Sequence, residues 1–208
     1  MRKEIFLLPF ILIIFSLNNS ISAEKGGFGF VILQASFKDN SAINSALEGK
    51  GFPTINRSLC ADIGGGGYFV IGKSKVIGLR GGSVCGFGSS NTDRYKVSAG
   101  GGYFITSFGL LKSMDKNFIL GDLGIGFAGL TVDVKDKTSK NGDFYTHYIA
   151  ETLGIMGELS FLLGRWIKEG FFVGIQGGIM YPLFGFDIEG RKIPGIYSIR
   201  ILIGGGAF

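Results

Sequence analysis

The sequence predicts an all-β protein: an eight-stranded antiparallel up-and-down transmembrane β-barrel with a plugged polar lumen. Three observations carry that expectation. Glycine supplies 37 of 208 residues, about two and a half times its usual share of roughly 7%, and it is interleaved with Ile, Leu, Val, Phe and Tyr rather than pooled in a linker. Mean hydropathy is positive, at +0.35, yet no long apolar run follows residue 23. The rest of the chain divides into eight segments whose side chains alternate in character. Backbone amides in hydrocarbon must be paired within the protein, which leaves helices or closed barrels. A spanning helix needs about 20 apolar residues, and the longest uncharged stretch, GFFVGIQGGIMYPLFGF (170–186), is broken by glycines and Pro182.

Met1 to Ala23 reads as a secretory signal. Arg2 and Lys3 open it, an apolar run from Ile5 to Leu17 is broken only by Pro9 and Ser16, and NNSISA precedes a cut expected after Ala23. Residues 24–208 then form one barrel domain. Its strands are expected at Phe28–Phe37, Leu59–Ile71, Val76–Phe87, Tyr95–Phe108, Phe118–Val132, Tyr148–Leu163, Phe171–Tyr181 and Gly195–Phe208. A membrane strand needs about 9 to 11 residues, and single-chain bacterial barrels have an even number of strands. Lys38–Ser58, Gly88–Arg94, Asp133–His147 and Pro182–Pro194 are polar or turn-rich connections and mostly long. Gly72–Lys75, Gly109–Asn117 and Gly164–Gly170 are shorter, which is the loop alternation of such barrels. No proline interrupts an expected strand, where it would remove a ladder bond. Ser41 to Glu48 reads as a short helix in the first loop, with Asn40 as its cap and Ile43 and Leu47 on one face.

A loose repeat places Tyr68, Phe69, Tyr103, Phe104, Phe118, Phe161, Trp166, Phe171 and Phe172 near the short turns, where an aromatic belt at the membrane interface is expected. Polar residues within the strands fall on one parity. Arg80 shares a face with Val76, Gly78 and Gly82; Asp122 with Gly124, Gly126 and Ala128; Glu158 with Gly154, Met156 and Ser160; Gln176 with Gly174 and Gly178; Arg200 with Ser198. A basic residue facing the bilayer midplane costs about 2–4 kcal/mol, so this parity is assigned to the lumen. Asp62, Arg80, Asp122, Glu158, Gln176 and Arg200 then converge in an interior just wide enough for side chains to fill. Unpaired charges there are costly, so Arg80 and Arg200 are expected to pair with Asp62, Asp122 and Glu158. A soluble barrel turned the other way, with a ligand cavity inside, fails because its water-facing strands would carry about one charge each. The glycines are expected to serve the bends and bulges of barrel closure.

These features resemble the small eight-stranded outer-membrane proteins, the group of the OmpA transmembrane domain, OmpX and the opacity proteins. The resemblance covers Glu24 to Phe208 and rests on architecture and the terminal Phe208. It implies that Phe208 and the alternating last strand form the signal read by the barrel-assembly machinery. Counting back by twos from Phe208 reaches Arg200, however, so a lumen-facing Arg200 and a lipid-facing Phe208 require a bulge within Gly204–Gly206.

Composition limits the function. Without the leader, 19 Lys and Arg stand against 15 Asp and Glu, scattered rather than clustered, so nucleic acid is not an expected partner. A single histidine, His147, and two cysteines make a metal site unlike this chain, and no cofactor is expected. Outer-membrane enzymes that deacylate lipid A use a His with a Ser two residues on; Tyr148 and Ile149 follow His147, although Glu151 shares its parity. A disulfide between Cys60 and Cys85 is open to the oxidising periplasm, but needs a register shift of about three residues. Two readings follow: a structural or surface-interaction barrel that displays four loops to an extracellular partner, or a lipid-modifying enzyme or narrow channel. Outer-membrane lipid is the expected surrounding in both.

Overall fold

A computed structural model describes residues 26–56, 59–72, 74–138, 145–168 and 170–207, with the side chains of 85–88, 145–149 and 207 left aside. The leader, its cleavage site and Phe208 lie outside the described residues. Alternating side chains favour extended backbone, and eight long strands form: β1 Gly27–Phe37, β2 Leu59–Ile71, β3 Lys75–Asn91, β4 Tyr95–Met114, β5 Asn117–Asp136, β6 Tyr145–Lys168, β7 Phe171–Phe184 and β10 Ile196–Ala207. A helix, α1 (Ser41–Glu48), lies in the first loop, and two-residue strands β8 (Asp187–Ile188) and β9 (Arg191–Lys192) make a hairpin in the last. Each long strand pairs antiparallel with its sequence neighbour, and β1 pairs β10 to close the barrel. The fold class is the one the sequence predicts.

Six of the eight long strands run further than expected, β2 keeps its expected bounds, and β10 is described over Ile196–Ala207. β4 and β5 run to a turn of only Asp115 and Lys116, because Leu111, Phe118 and Leu120 alternate into the interior and keep the ladder worth extending. Asp115 takes a positive φ of 51° there, and Gly72 and Gly170 (φ 67° and 75°) make the other two tight turns. The second loop shrinks to 92–94. Pro182, expected outside the strands, stands inside β7 opposite Met156. It is tolerated because β10 pairing stops at Met180 and the β6 register shifts at Ile155/Met156, so no partner needs its missing N–H. The bulge expected within Gly204–Gly206 is absent: β10 pairs β1 without a shift from Tyr197 to Ala207, and β7 from Ile196 to Gly205. Arg200 nevertheless lies in the lumen, fully buried.

Outside, the wall is apolar: Val31, Leu33, Ile63, Leu123, Ile125, Leu159, Ile175 and Ile199 are exposed around its circumference. A polar interior within an apolar wall inverts the arrangement of a water-soluble barrel and suits one surrounded by hydrocarbon. Inside, two apolar clusters occupy the two ends. At the turn end Phe28, Phe118 and Phe172 meet with ring centroids 5.1–5.6 Å apart, and Trp166 meets Phe172 edge to face at 5.4 Å. Tyr68, Phe118 and Phe172 are therefore not part of an outward belt. Their even parity points them inward, while Phe69, Phe161 and Phe171 face out. At the loop end Ala42, Ile43, Ala46 and Leu47 of α1 pack with Val97, Ala99, Leu130 and Val132 of the wall, so the helix stops the mouth. Asn40 holds the helix N-cap position but makes no side-chain cap; the Asp39 carboxylate instead accepts the Ser41 amide at 2.8 Å.

Glycines on the lumen parity make room for this filling. A Cβ on Gly164 would collide with the tip of the Phe118 ring, and one on Gly78 would fall between Tyr68 and Ser107. Gly164→Val is expected to displace Phe118 and lower the unfolding free energy in lipid by about 1–3 kcal/mol. Gly177→Val, on the outer face with nothing within 4 Å, should change it by less than about 0.5 kcal/mol. Urea unfolding of both variants checks this, and equal losses would mean that the wall rather than the lumen requires the glycines.

Candidate functional site

Between the two apolar clusters lies a layer of buried polar side chains, to which all eight long strands contribute. Register fixes their level. Gln34 stands opposite both Asp62 and Arg200, Arg200 opposite Gln176, and Asp122 opposite Ser160. Because successive residues alternate faces, one lumen-facing polar residue per strand suffices to build a continuous layer.

Arg80 is its centre. Its Nη2 donates to Asp122 Oδ1 and to Glu158 Oε2, both at 2.8 Å, and its Nε donates to the same Glu158 oxygen at 2.9 Å. Nη1 donates to the Tyr68 hydroxyl at 2.8 Å and to Asp122 Oδ2 at 3.1 Å. The Tyr68 hydroxyl donates in turn to Asp122 Oδ2 at 2.5 Å, and Ser160 donates to Oδ1 at 2.8 Å. Gln176 donates to Ser160 at 2.8 Å and to Tyr68 at 3.2 Å. The other oxygen of Glu158 meets Arg200 Nη1 at 2.5 Å, so this carboxylate bridges the two guanidinium groups. Multiply hydrogen-bonded ion pairs are the form in which charge survives burial.

Arg200 extends the chain of contacts. Its Nε donates to Gln34 Oε1 at 2.7 Å and its Nη1 to Gln176 Oε1 at 3.1 Å. Gln34 donates to Ser36 at 2.6 Å, and Ser36 donates to Asp62 at 2.5 Å. The expected direct pairing of an arginine with Asp62 is replaced by this relay, and Lys38 Nζ lies 3.9 Å from the Asp62 carboxylate. Lys38 follows β1 directly, and although it reads as the start of a loop in the sequence, it continues the inward parity of Gln34 and Ser36. Lys38, Arg80 and Arg200 thus face Asp62, Asp122 and Glu158 in equal number.

All six lumen residues named from the sequence lie in this layer. Gln34, Ser36, Lys38, Tyr68, Tyr103, Ser107 and Ser160 complete it and were not among them. Gln34 and Ser36 were legible in principle, because they alternate with Leu33, Ala35 and Phe37. Tyr103 gave no such signal, since an inward tyrosine and a belt tyrosine look alike in sequence. Cys60 stands opposite Ser36 in β2, and the Cys85 side chain lies outside the described residues, as does that of His147. Among the described residues no group of three or more His, Cys, Asp or Glu could hold a metal ion.

The loop end carries the remaining ordered polar contacts. Asn44 of α1 donates to the Ile55 carbonyl at 3.1 Å and accepts its amide at 2.8 Å, folding the first loop back on the helix. Lys50 pairs with Glu189 at 2.9 Å, joining that loop to the β8–β9 hairpin. At the end of β5, the hydroxyl and amide of Thr138 hold the Asp136 carboxyl down to about 2, with Arg94 adding a weaker pull.

No protein-family profile and no curated protein sequence matches this chain. Among solved structures it is similar to Ail, the attachment invasion locus protein of Yersinia pestis, in complex with the heparin analogue sucrose octasulfate: 6% identity, 88% of this chain and 97% of that one, TM-score 0.48. It is also similar to neisserial surface protein A, at 8% identity over 89% of this chain and 97% of that one, TM-score 0.36. Both neighbours are small eight-stranded outer-membrane β-barrels.

Arg80→Met leaves Asp122 and Glu158 buried with fewer partners and is expected to destabilise the folded barrel by about 3–5 kcal/mol. Adding Asp122→Asn and Glu158→Gln should recover part of that loss, as equilibrium unfolding in lipid would read. At the loop end, Thr138→Val removes one donor from Asp136 and should raise its titration toward the usual carboxylate range, observable by carboxyl NMR. Since this carboxyl is depressed when folded, its contribution is complete above the ordinary value of about 4 and disappears as pH falls through about 2.

Proposed function

We propose that the protein is a bacterial outer-membrane barrel of structural or surface-interaction type, which displays its loops on a non-conducting scaffold. The observation that carries this reading is the filled lumen. The Arg80–Asp122–Glu158–Arg200 layer spans the interior, the Phe28–Phe118–Phe172 cluster fills the turn end, and α1 packs into the opposite mouth. A channel needs a continuous wet path, and each of these three layers opposes one. An enzyme needs convergent, accessible catalytic groups, whereas the convergent groups here are buried and engaged with one another.

Short turns and both strand termini at one end assign that end to the periplasm, by the topology common to such barrels, and the loops to the outside. The external surface then comprises the α1 loop, the turn at 92–94, the connection after β5 and the β8–β9 hairpin, and an extracellular partner would be met there. The reading includes a cleaved leader over residues 1–23, an assembly signal ending at Phe208 and a surrounding of outer-membrane lipid.

Planar-bilayer recording tests the scaffold reading. The folded protein is expected to show no steady conductance, and a stable open channel abolished by Arg80 or Arg200 substitutions would overturn it. Membrane-barrel character has its own check: the unboiled protein should migrate faster than the boiled one on a detergent gel. Recovery in a soluble fraction without that shift would sink it.

A further inference from the structure

The outer wall is not evenly covered. Just above the turn end, a groove of about 640 Å³ runs across β5, β6 and β7, lined by Asn117, Ile119, Leu163, Arg165, Val173 and Ile175 among others. One row of residues further from the turns a second groove of about 780 Å³ continues it, beside Phe161 and over Gly121 and Gly177. Register shows why. Gly121, Phe161 and Gly177 are direct cross-strand neighbours, so a ring stands between two positions without side chains. In the next row toward the turns, Lys112, Ile119, Leu163 and Ile175 are neighbours in the same sense. One row beyond, Arg165 stands opposite Asn117 and Val173.

An apolar furrow thus ends at two outward-facing cations. Lys112 and Arg165 are exposed, as are Lys116 and Lys168 in the adjoining turns, and among the described residues none of the four is in an ion pair. The three turns and their flanks (residues 72–75, 112–117 and 165–170) carry Lys73, Lys75, Lys112, Lys116, Arg165 and Lys168 against Asp115 and Glu169. A rim with six cations to two acids beside an apolar track matches an amphiphile with a negative head and a hydrocarbon tail.

We propose that this furrow binds an anionic glycerophospholipid of the leaflet at the turn end, with its phosphate at Lys112 and Arg165 and an acyl chain lying along Ile119, Leu163 and Gly121–Phe161–Gly177. The inference rests on the membrane-barrel reading and adds the lipid class and its site. Arginine can hold a phosphate through two parallel N–H bonds, and Lys112, two strands away, supplies a second point charge. The charged rim is exposed to water, so the preference weakens with salt.

Spin-labelled lipids tell the possibilities apart. In phosphatidylcholine bilayers, the full-length mature protein should associate with labelled phosphatidylglycerol more strongly than with labelled phosphatidylcholine, on the order of fivefold for one well-placed cation. The Lys112→Gln/Arg165→Gln variant should bring that ratio close to one, Lys112→Arg/Arg165→Lys should keep it, and Lys96→Gln/Lys192→Gln at the loop end should not change it. A ratio of one for the unaltered protein, survival of the preference in the glutamine variant, its loss in the loop-end variant, or exclusion of lipid from this face by a second copy would each overturn the inference. Absence of motionally restricted lipid for every label, together with no heat-dependent gel shift, would instead mean that the membrane-barrel reading had failed.

Discussion

Among the described residues, Lys38, Arg80 and Arg200 share one layer of the closed interior with Asp62, Asp122 and Glu158, and the rest of the structure is arranged to keep that layer away from hydrocarbon. Glu158 is the pivot, with one oxygen on Arg80 and the other on Arg200. Desolvating six charges would cost far more than the stability of a typical domain if they were isolated. Paired, and further hydrogen-bonded by Tyr68, Ser160, Gln34 and Gln176, they become a cross-brace between strands that are distant in sequence. Residue 80 is tied to 158 across the lumen, and 34 to 200 along the seam where β1 and β10 close the ring.

The apolar layers at both ends follow from that brace. The low dielectric that strengthens the ion pairs is maintained by excluding water, and the aromatic cluster at the turns and the helix at the mouth both contribute to that exclusion. Glycine density has its explanation here more than in barrel closure. A small barrel has little internal volume, and removing Cβ atoms at Gly78, Gly164 and Gly178 gives it to Tyr68, Phe118 and the Glu158–Arg200 contact. On the outer face the same residue type does something different, since Gly121 and Gly177 leave the furrow beside Phe161.

One geometry thereby serves two surfaces. Alternation sends every second side chain inward to a polar, tightly filled lumen and every other one outward to an apolar wall. A loop-bearing scaffold gains from the first, because a braced interior holds the loop bases in place. The lipid-facing wall gains its local relief from the second. At the loop end, Lys50 with Glu189 and Asn44 with Ile55 tie the first loop to the last hairpin and to its own helix.

Period-two alternation, loop spacing and the rarity of strand charges determined the fold and the lumen face from sequence alone, because both are local properties of a strand with one side in hydrocarbon. The Ser41–Glu48 helix was legible from its own local spacing, with Ile43 and Leu47 one turn apart on one face. Which charges meet was decided by register across strands separated by up to 166 residues, and the sequence carries no local mark of register. Hence Asp62 is linked to Arg200 through Ser36 and Gln34, and Lys38 belongs to the lumen rather than to a loop. The inward turn of Tyr68, Phe118 and Phe172 follows the lumen parity they share with Asp62, Asp122 and Gln176; the strand position of Pro182 and the unbulged last strand were tertiary decisions. Each depends on what stands opposite in the closed ring, and ring closure exists only once the whole chain has paired.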